Sequence, residues 1–271
     1  MKLTNETAAA PARPVLYFLG TGGASATRER DNTSLLIESA GDLFLIDCPG
    51  CIIPKIQSLD LDPRRIRSLF ITHIHPDHIY GLPSLMHNMM QEDTTLRVYG
   101  SNESLEFCRR LLDLFGLRRD KIKYRLEFIP LAPEEKFSPL ADLKSRSLSV
   151  RHKSSSLGIH TNFEPGKVDL LYTGDTAIHP PLFKRFFGVD YLVHECSVPS
   201  RFFRLHPDLS SLHTHSLDLG RYAAQADIRC LAPVHFFGEV DFAVKEIEQE
   251  IKSHYKGKLV IPDDLDYIEL T

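Results

Sequence analysis

Apolar and polar positions alternate along the chain with two periods, one typical of strands and one typical of helices. Short apolar runs bounded by turn residues predict buried strands at 15–19, 34–38, 43–46, 68–72 and 96–99. Apolar residues at helical spacing predict helices at 51–59, 79–90 and 103–115. The first part of the chain is therefore predicted to combine a hairpin with strand–helix units.

The rhythm changes after residue 124, where strands follow one another with short connections. These predicted strands lie at 125–129, 145–151, 157–163, 168–173, 191–193 and 230–234, with helices at 181–187 and 217–226. This mixture of hairpins and βα units predicts an α/β fold rather than a lone parallel sheet. We expect a single domain over 1–271, with 1–14 as a flexible N-terminal tail.

Composition excludes several classes of protein. The chain has 271 residues and a formal net charge of −4. It contains no apolar run of about 18 residues, so no transmembrane helix is expected. Its start lacks a signal-peptide pattern, so we expect a cytoplasmic location. An odd number of cysteines, five, in such a location argues against a disulfide framework. The negative charge argues against a protein whose whole surface binds nucleic acid.

Histidine is frequent, with 13 residues, and four candidate donors cluster in one loop. His73, His75, Asp77 and His78 lie directly after the predicted buried strand 68–72. Strand ends are where α/β proteins place ligand sites, and imidazole and carboxylate donors suit zinc, iron or manganese. A solvated polar loop is the alternative interpretation. The number of donors in so short a stretch favours a metal site.

One loop supplies too few donors for two metal ions, so further ligands are expected at other strand ends. His152, Asp175 and His235 each follow an apolar, strand-like run. Any one of them alone would be an ordinary polar residue. Together with the loop they form a candidate ligand set.

The pattern His-x-His-x-Asp-His, a later histidine, an aspartate in a Gly-Asp-Thr turn and a final histidine resembles the metallo-β-lactamase superfamily. The resemblance implies a four-layer αβ/βα sandwich with a dinuclear metal site along one edge. Carried over by motif position, the ligands of one metal are His73, His75, His152 and Asp175. Those of the other are Asp77, His78, Asp175 and His235. Asp175 would then bridge two Zn²⁺ ions, with Mn²⁺ or Fe²⁺ as alternatives.

Within the superfamily, the chain resembles ribonuclease Z and its relatives over nearly its whole length. The shared motifs are FLGTG at 18–22, LIDC at 45–48, VYG at 98–100, HECS at 194–197 and HTH at 213–215. The resemblance implies phosphodiester hydrolysis, in which Asp77 orients the attacking water and Glu195 steers a histidine that protonates the leaving oxygen. His213 matches that histidine best by its spacing to the final ligand, with His215 as the alternative.

Two departures from the ribonuclease Z pattern concern the substrate. Transfer-RNA-processing relatives carry a long arm between the third-histidine motif and the bridging aspartate, whereas 22 residues separate His152 from Asp175 here. The family's Pro-x-Lys-x-Arg-Asn loop reads ATRERD at 26–31, which keeps Arg30 but ends in Asp31, a negative charge that would repel phosphate. The predicted substrate-binding residues are Arg28, Arg30 and His179.

Several functions stay open. The leading hypothesis is a dinuclear zinc phosphodiesterase acting on RNA or on a small phosphodiester, of which a cyclic one is an example. A lactone or thioester hydrolase would use the same ligands, and a non-catalytic metal-binding scaffold is a remote alternative. A basic cluster over 109–125 would follow a phosphate backbone or form a solvated helix face. Cys48 and Cys51 have redox-motif spacing, although small thiols in a tight turn are favoured. Family analogy suggests a homodimer.

Overall fold

The computed structural model describes residues 13–118, 123–164 and 167–271, so residues 1–12 of the expected flexible tail lie outside the described part. The strands are β1 (Val15–Gly20), β2 (Ser34–Ser39), β3 (Asp42–Ile46), β4 (Ile66–Ile71), β5 (Thr95–Gly100), β6 (Arg125–Pro130), β7 (Lys136–Phe137), β8 (Leu143–Ser149), β9 (Leu157–Phe163), β10 (Val168–Tyr172), β11 (Tyr191–Glu195), β12 (Cys230–Val234), β13 (Lys258–Leu259) and β14 (Tyr267–Glu269). The α-helices are α1 (Ile52–Ser58), α2 (Pro76–Ile79), α3 (Leu82–Met89), α4 (Asn102–Leu114), α5 (Pro180–Arg185), α6 (Ser200–Leu205), α7 (Ser216–Gln225) and α8 (Val244–His254). Short 3₁₀ turns lie at Pro63–Arg65 and Pro207–Ser211.

The strands form two seven-stranded sheets of similar design. The first has the order β14-β1-β2-β3-β4-β5-β6 and the second has the order β13-β12-β11-β10-β9-β8-β7. In the first sheet β1 to β3 pair antiparallel and β3 to β6 pair parallel. In the second, β7 to β10 pair antiparallel and β10 to β13 pair parallel. Each sheet thus joins a hairpin half to a βα half, which is the mixture predicted from the sequence.

The two sheets pack face to face around a central apolar core. Phe18 and Phe70 of the first sheet and Phe163 and Tyr172 of the second are buried in this core. A second apolar layer packs α1, α3 and α4 on the outer face of the first sheet. A third packs α5, α7 and α8 on the outer face of the second. This helix–sheet–sheet–helix order confirms the predicted four-layer αβ/βα sandwich.

The helix expected over 79–90 is observed as α3, which begins only at Leu82, and Ile79 is the last residue of a separate short helix, α2. Tyr80 and Gly81 separate the two helices. A Cβ atom on Gly81 would lie 1.8 Å from the carbonyl oxygen of Pro49, so only glycine allows the two backbones to touch here. The Gly81 amide donates to the Cys48 carbonyl at 2.9 Å, and the Cys48 amide donates to the His78 carbonyl at 2.7 Å. The break therefore ties the histidine loop to the turn after β3.

The hydrophobic pattern left the region beyond residue 234 without predicted elements, and the structure places α8, β13 and β14 there. Helix α8 buries Ile247 and Ile251, a four-residue spacing that is a helical signal in the sequence. Strand β14 has three residues and pairs with β1, which extends the first sheet by one strand. Among the described residues, no helix combines the length and apolarity needed to cross a bilayer.

Candidate metal centre

The seven predicted metal ligands meet at one edge of the sandwich because each follows the end of a strand. The loop after β4 carries His73 and His75, and α2 directly behind it carries Asp77 and His78. The other three come from the second sheet, where they follow β8, β10 and β12; they are His152, Asp175 and His235. The edge thus collects side chains from both sheets, as carboxyl ends of parallel strands do in α/β proteins.

The first group of potential ligands contains three imidazoles and one carboxylate, namely His73, His75, His152 and Asp175. The Nδ1 atom of His75 lies 2.9 Å from Nε2 of His73 and 3.3 Å from Nε2 of His152. The Oδ2 atom of Asp175 lies 3.7 Å from the His73 nitrogen and 4.0 Å from the His152 nitrogen. Four donor atoms therefore converge on one point.

The second group contains Asp77, His78, Asp175 and His235, and it shares Asp175 with the first. Nε2 of His78 lies 3.3 Å from Asp77 Oδ2 and 3.4 Å from Asp175 Oδ1. Nε2 of His235 lies 3.5 Å from Asp77 Oδ2 and 3.2 Å from Asp175 Oδ2. All four side chains are buried. Because the two oxygens of Asp175 lie near nitrogens of both groups, its carboxylate lies between them.

These separations fit metal coordination. Donors bonded tetrahedrally to zinc at 2.0–2.1 Å are about 3.3 Å apart, close to the distances within both groups. Among the described residues, Nε2 of His78 and both ring nitrogens of His235 are buried without a hydrogen-bond partner. Buried polar atoms are normally paired, so these nitrogens are suited to a ligand.

The electrostatic field at this edge also favours a cation. Burial lowers the pKa of the His235 imidazole, yet Asp175 and Asp77 overcome that effect and raise it to about 9. Burial likewise opposes a charge on His78, but Asp175 and Asp47 raise its pKa well above the usual range. The negative charge that would stabilise an imidazolium ion here would equally stabilise a divalent metal ion.

Asp47 supports the centre from behind and is a residue for which the sequence pattern suggested no role. Its carboxylate is fully buried and accepts a hydrogen bond from Nδ1–H of His78 at 2.8 Å and from the Thr72 amide at 2.8 Å. This contact fixes the ring so that Nε2 of His78 faces the centre. The available signals were its place in the LIDC motif at 45–48 and its position directly after the apolar strand β3.

Local backbone geometry also brings the ligands together. Gly174, just before Asp175, has φ +58°, and a Cβ atom there would lie 3.1–3.2 Å from the Thr72 side chain. Glycine therefore permits both the left-handed turn and the close approach of the β4 and β10 ends. His235 also has a positive φ, 66°, and its amide donates to the Thr21 carbonyl at 2.8 Å.

Glu195, the last residue of β11, forms a polar pair with His213 beside the second group. Its buried Oε2 atom accepts a hydrogen bond from Nδ1–H of His213 at 3.0 Å. The His213 ring stacks on His235 with centroids 5.9 Å apart. Burial lowers the pKa of His213, but Glu195 more than offsets this effect and the pKa is raised above its ordinary value. His215 instead accepts from the Asp218 amide at 3.3 Å as the N-cap of α7.

The structure does not bring the three predicted substrate-binding residues into either ligand group. Arg28 lies on an exposed loop and His179 is the N-cap of α5. Arg30 donates to Thr21 Oγ1, to the Pro262 carbonyl and to Asp263 at 2.5–2.6 Å, which ties its loop to the C-terminal segment. Their part in substrate binding stays a prediction.

The repulsion expected from Asp31 is reduced by an ion pair. Asp31 Oδ2 lies 3.0 Å from Nζ of Lys55, and both side chains are largely buried. Part of the basic cluster also has acidic partners, because Arg110 pairs with Glu106 and Arg118 with Asp113, each at 2.9 Å. These pairs favour the solvated helix face over a phosphate-binding surface, although residues 119–122 of the cluster lie outside the described part.

The two redox-spaced cysteines occupy different environments. Cys48 is buried and its burial raises the pKa of the thiol well above the usual range, whereas Cys51 is exposed. A reactive thiol needs a lowered pKa, so the structure favours the interpretation of Cys48 as a packed thiol.

Comparison with known proteins identifies the family to which this site belongs. The family described as "Anti-Pycsar protein Apyc1" matches residues 15–222, which is more than half of the chain. The chain belongs to the Anti-Pycsar protein Apyc1 family. The matched stretch of this Apyc1-family chain contains every candidate metal ligand except His235.

Individual relatives confirm the predicted resemblance of the Apyc1-family chain to ribonuclease Z-like proteins of the metallo-β-lactamase superfamily. Ribonuclease Z of Pyrococcus abyssi (strain GE5 / Orsay) is 40% identical over 100 residues, which are 36% of this chain and 33% of that protein. The match thus spans about a third of the length of this curated relative.

Two solved structures share the fold. The metallo-β-lactamase fold protein YhfI from Bacillus subtilis has a TM-score of 0.79 at 18% identity, covering 95% of this chain and 99% of its own. The short form of human tRNase Z has a TM-score of 0.76 at 19% identity, with coverage of 95% and 99%. At this level of identity the likeness shows the fold alone.

Proposed function

We propose that this chain is a metal-dependent phosphodiesterase that hydrolyses a small phosphodiester, such as a cyclic nucleotide, in preference to a transfer-RNA precursor. The observation that carries the proposal is the hydrogen bond between Glu195 and His213 beside the ligand groups. Hydrolysis of a phosphodiester expels an alkoxide, which needs a proton as it leaves. A histidine held by a buried carboxylate supplies that proton near neutral pH.

The two ligand groups would hold two divalent ions, with zinc as our first choice and Mn²⁺ or Fe²⁺ compatible with the same donors. Bound metal would supply Lewis acidity toward a phosphoryl oxygen and a nucleophilic water at neutral pH. The resemblance to ribonuclease Z of Pyrococcus abyssi supports a phosphodiester substrate.

The chain's own residues have separate tasks in this proposal. Asp77 would accept a hydrogen bond from the attacking water and so orient it. Glu195 holds His213 through Nδ1, which leaves Nε2 as the ring atom that carries and donates the second proton. Glu195 also accepts from Ser197 Oγ at 2.7 Å and from the Thr176 amide, so its own position is fixed from several sides.

The preference for a small substrate rests on the segment between His152 and Asp175. In transfer-RNA-processing relatives this is the position of the arm, whereas here the segment contains β9 and β10, which pair antiparallel. Pairing runs from Ile159 opposite Tyr172 to Phe163 opposite Val168. Four residues, 164–167, separate the two strands in the sequence, which leaves no room there for a long extension that would grip a folded RNA.

The proposal is tested by incubating the metal-loaded protein with four substrates. These are bis-p-nitrophenyl phosphate, a 2′,3′-cyclic nucleotide, a transfer-RNA precursor and a lactone. We expect turnover of the first two to exceed that of the precursor, with little lactone hydrolysis. Hydrolysis of the lactone without any phosphodiester would favour the lactonase alternative and overturn the proposal. Efficient cleavage of the precursor would overturn the size preference alone.

A further inference from the structure

The 199–215 segment leaves the second sheet after β11 and returns to it before α7. Its base is closed by a bridge between Val198 and His215. The Ser197 amide donates to the Thr214 carbonyl at 2.9 Å, and the Ser216 amide donates to the Val198 carbonyl at 3.2 Å. The segment is thus an excursion whose two ends lie side by side.

The final residues of this excursion orient two side chains of the candidate site. The Leu212 carbonyl accepts a hydrogen bond from Nδ1–H of His152 at 3.1 Å, which leaves Nε2 of that ring facing the first ligand group. The next residue is His213, whose ring pairs with Glu195. The backbone position of residues 212–213 therefore sets the orientation of one proposed ligand and of the proposed proton donor.

One side chain on a different helix holds both ends of the excursion. Glu250 of α8 accepts hydrogen bonds from the Ser200 amide at 2.8 Å, from Ser200 Oγ at 2.7 Å and from Ser216 Oγ. Ser200 and Ser216 are the first residues of α6 and α7, so the carboxylate lies at two positive helix ends. Burial raises the pKa of Glu250, but these hydrogen bonds outweigh that effect and lower it below its ordinary value.

The helix that carries Glu250 is itself closely packed against α7. A Cβ atom on Gly220 would lie 2.6–2.7 Å from the backbone of Ile251, so the two helices approach to backbone contact. Glycine allows that distance, and a close-packed interface resists small displacements. Glu250 is therefore held on a closely packed pair of helices, next in sequence to Ile251, where the two helices touch.

We propose that Glu250 is a positioning residue that acts through the 199–215 excursion to hold Leu212 and His213 against the metal and proton-transfer groups. The effect on turnover rests on the proposed phosphodiester hydrolysis, whereas the effect on metal affinity rests only on the two ligand groups binding metal. Glu250 touches neither ligand group, so it acts only through the backbone that it holds.

The test compares Glu250→Ala with Glu250→Gln and with Glu248→Ala as a matched control. Glu248 lies on the same helix, has a side chain that is 40% exposed and pairs with Lys252. In Glu250→Ala we expect one of the two zinc equivalents to bind about 10- to 100-fold more weakly in a chelator competition, because an outer partner of a ligand is lost. The other equivalent keeps its affinity, and kcat falls more than KM changes.

Glu250→Gln should keep most of the wild-type zinc affinity and kcat, since the glutamine oxygen still accepts a hydrogen bond from the Ser200 amide. Glu248→Ala should leave both zinc affinities and kcat unchanged. Unchanged affinities in Glu250→Ala, or equal weakening of both equivalents, would overturn the proposal. If that variant does not fold, Ser216→Ala takes its place, and it must weaken one zinc equivalent and leave the other unchanged, or the proposal fails. A wild type that cleaves no phosphodiester refutes the function but leaves the zinc measurement valid.

Discussion

Replacing Glu195 with glutamine removes one negative charge and leaves the side-chain volume nearly unchanged. The substitution therefore isolates the effect of that charge on His213. Oε1 accepts from the Thr176 amide, while Oε2 accepts from His213 Nδ1 at 3.0 Å. Backbone N–H groups can only donate, and the Thr176 amide lies much closer to Oε1 than the Thr214 amide lies to Oε2, at 3.4 Å, so the amide oxygen of the glutamine stays with Thr176. Its NH₂ group then faces Nδ1 of His213, where two donors meet. The ring loses the partner that stabilises its second proton.

The magnitude follows from the environment of this hydrogen bond. The Glu195 and His213 side chains are 1% and 14% exposed, so water screens the interaction little. A hydrogen bond to a charged group contributes about 1.5–3 kcal/mol. At about 1.4 kcal/mol for each factor of ten, we expect Glu195→Gln to slow proton-assisted departure about 10- to 150-fold.

The assay compares two leaving groups in wild type and Glu195→Gln. A 2′,3′-cyclic nucleotide expels an alkoxide that needs a proton, whereas bis-p-nitrophenyl phosphate expels a phenolate that leaves without one. The ratio of the two rates should fall by the factor above. Ser197→Ala removes a different donor from Oε2 and should keep the wild-type ratio. If Glu195→Gln slows both substrates equally while retaining its metal, Glu195 does not act through leaving-group protonation.

Three further predictions concern metal and stability. Asp175→Ala removes the carboxylate shared by both ligand groups, so elemental analysis should find both metals lost and turnover at background; two bound metals with near wild-type turnover would contradict this. Chelation should lower the melting temperature by about 5–10 °C per metal that had been present at about 100 times its Kd, and an unchanged value would argue against a metal centre. His194 is fully buried and burial lowers its pKa, so the unfolded chain takes up a proton below about pH 6.5 that the folded chain refuses. Below pH 6.5 the unfolding free energy of wild type should therefore fall more steeply than that of His194→Asn, with slopes that differ by up to about 1.4 kcal/mol per pH unit. Urea titrations at several pH values measure both slopes, and equal slopes would refute this.

The strands were predictable because most are buried apolar runs that a local pattern reveals. Strand β12 was predicted at 230–234, as observed. The helix break at Gly81 was not, because it depends on contact with Pro49, which a local pattern does not contain. Strand β14 was missed because it has one buried side chain, Ile268, and is held by its pairing with β1.

The candidate site shows the same division. Its proposed ligands were predictable because each follows an apolar strand and matches a motif position. The supporting contacts were not, because Asp47 reaches His78 and Leu212 reaches His152 across the fold. The predicted role of Arg30 stays a prediction, and its motif position did not reveal that its guanidinium contacts the C-terminal segment.

The candidate centre draws its donors from both sheets, and this has a consequence for how the protein matures. The loop after β4 supplies four of them within a short stretch, but His235 lies 162 positions after His73 (235 − 73). A chain whose sheets have not docked offers incomplete coordination to either ion, so it should capture metal weakly. Tight metal binding would then distinguish fully folded molecules from partly folded ones. Once bound, the ions would link the two sheets, so their removal should lower the free energy of unfolding.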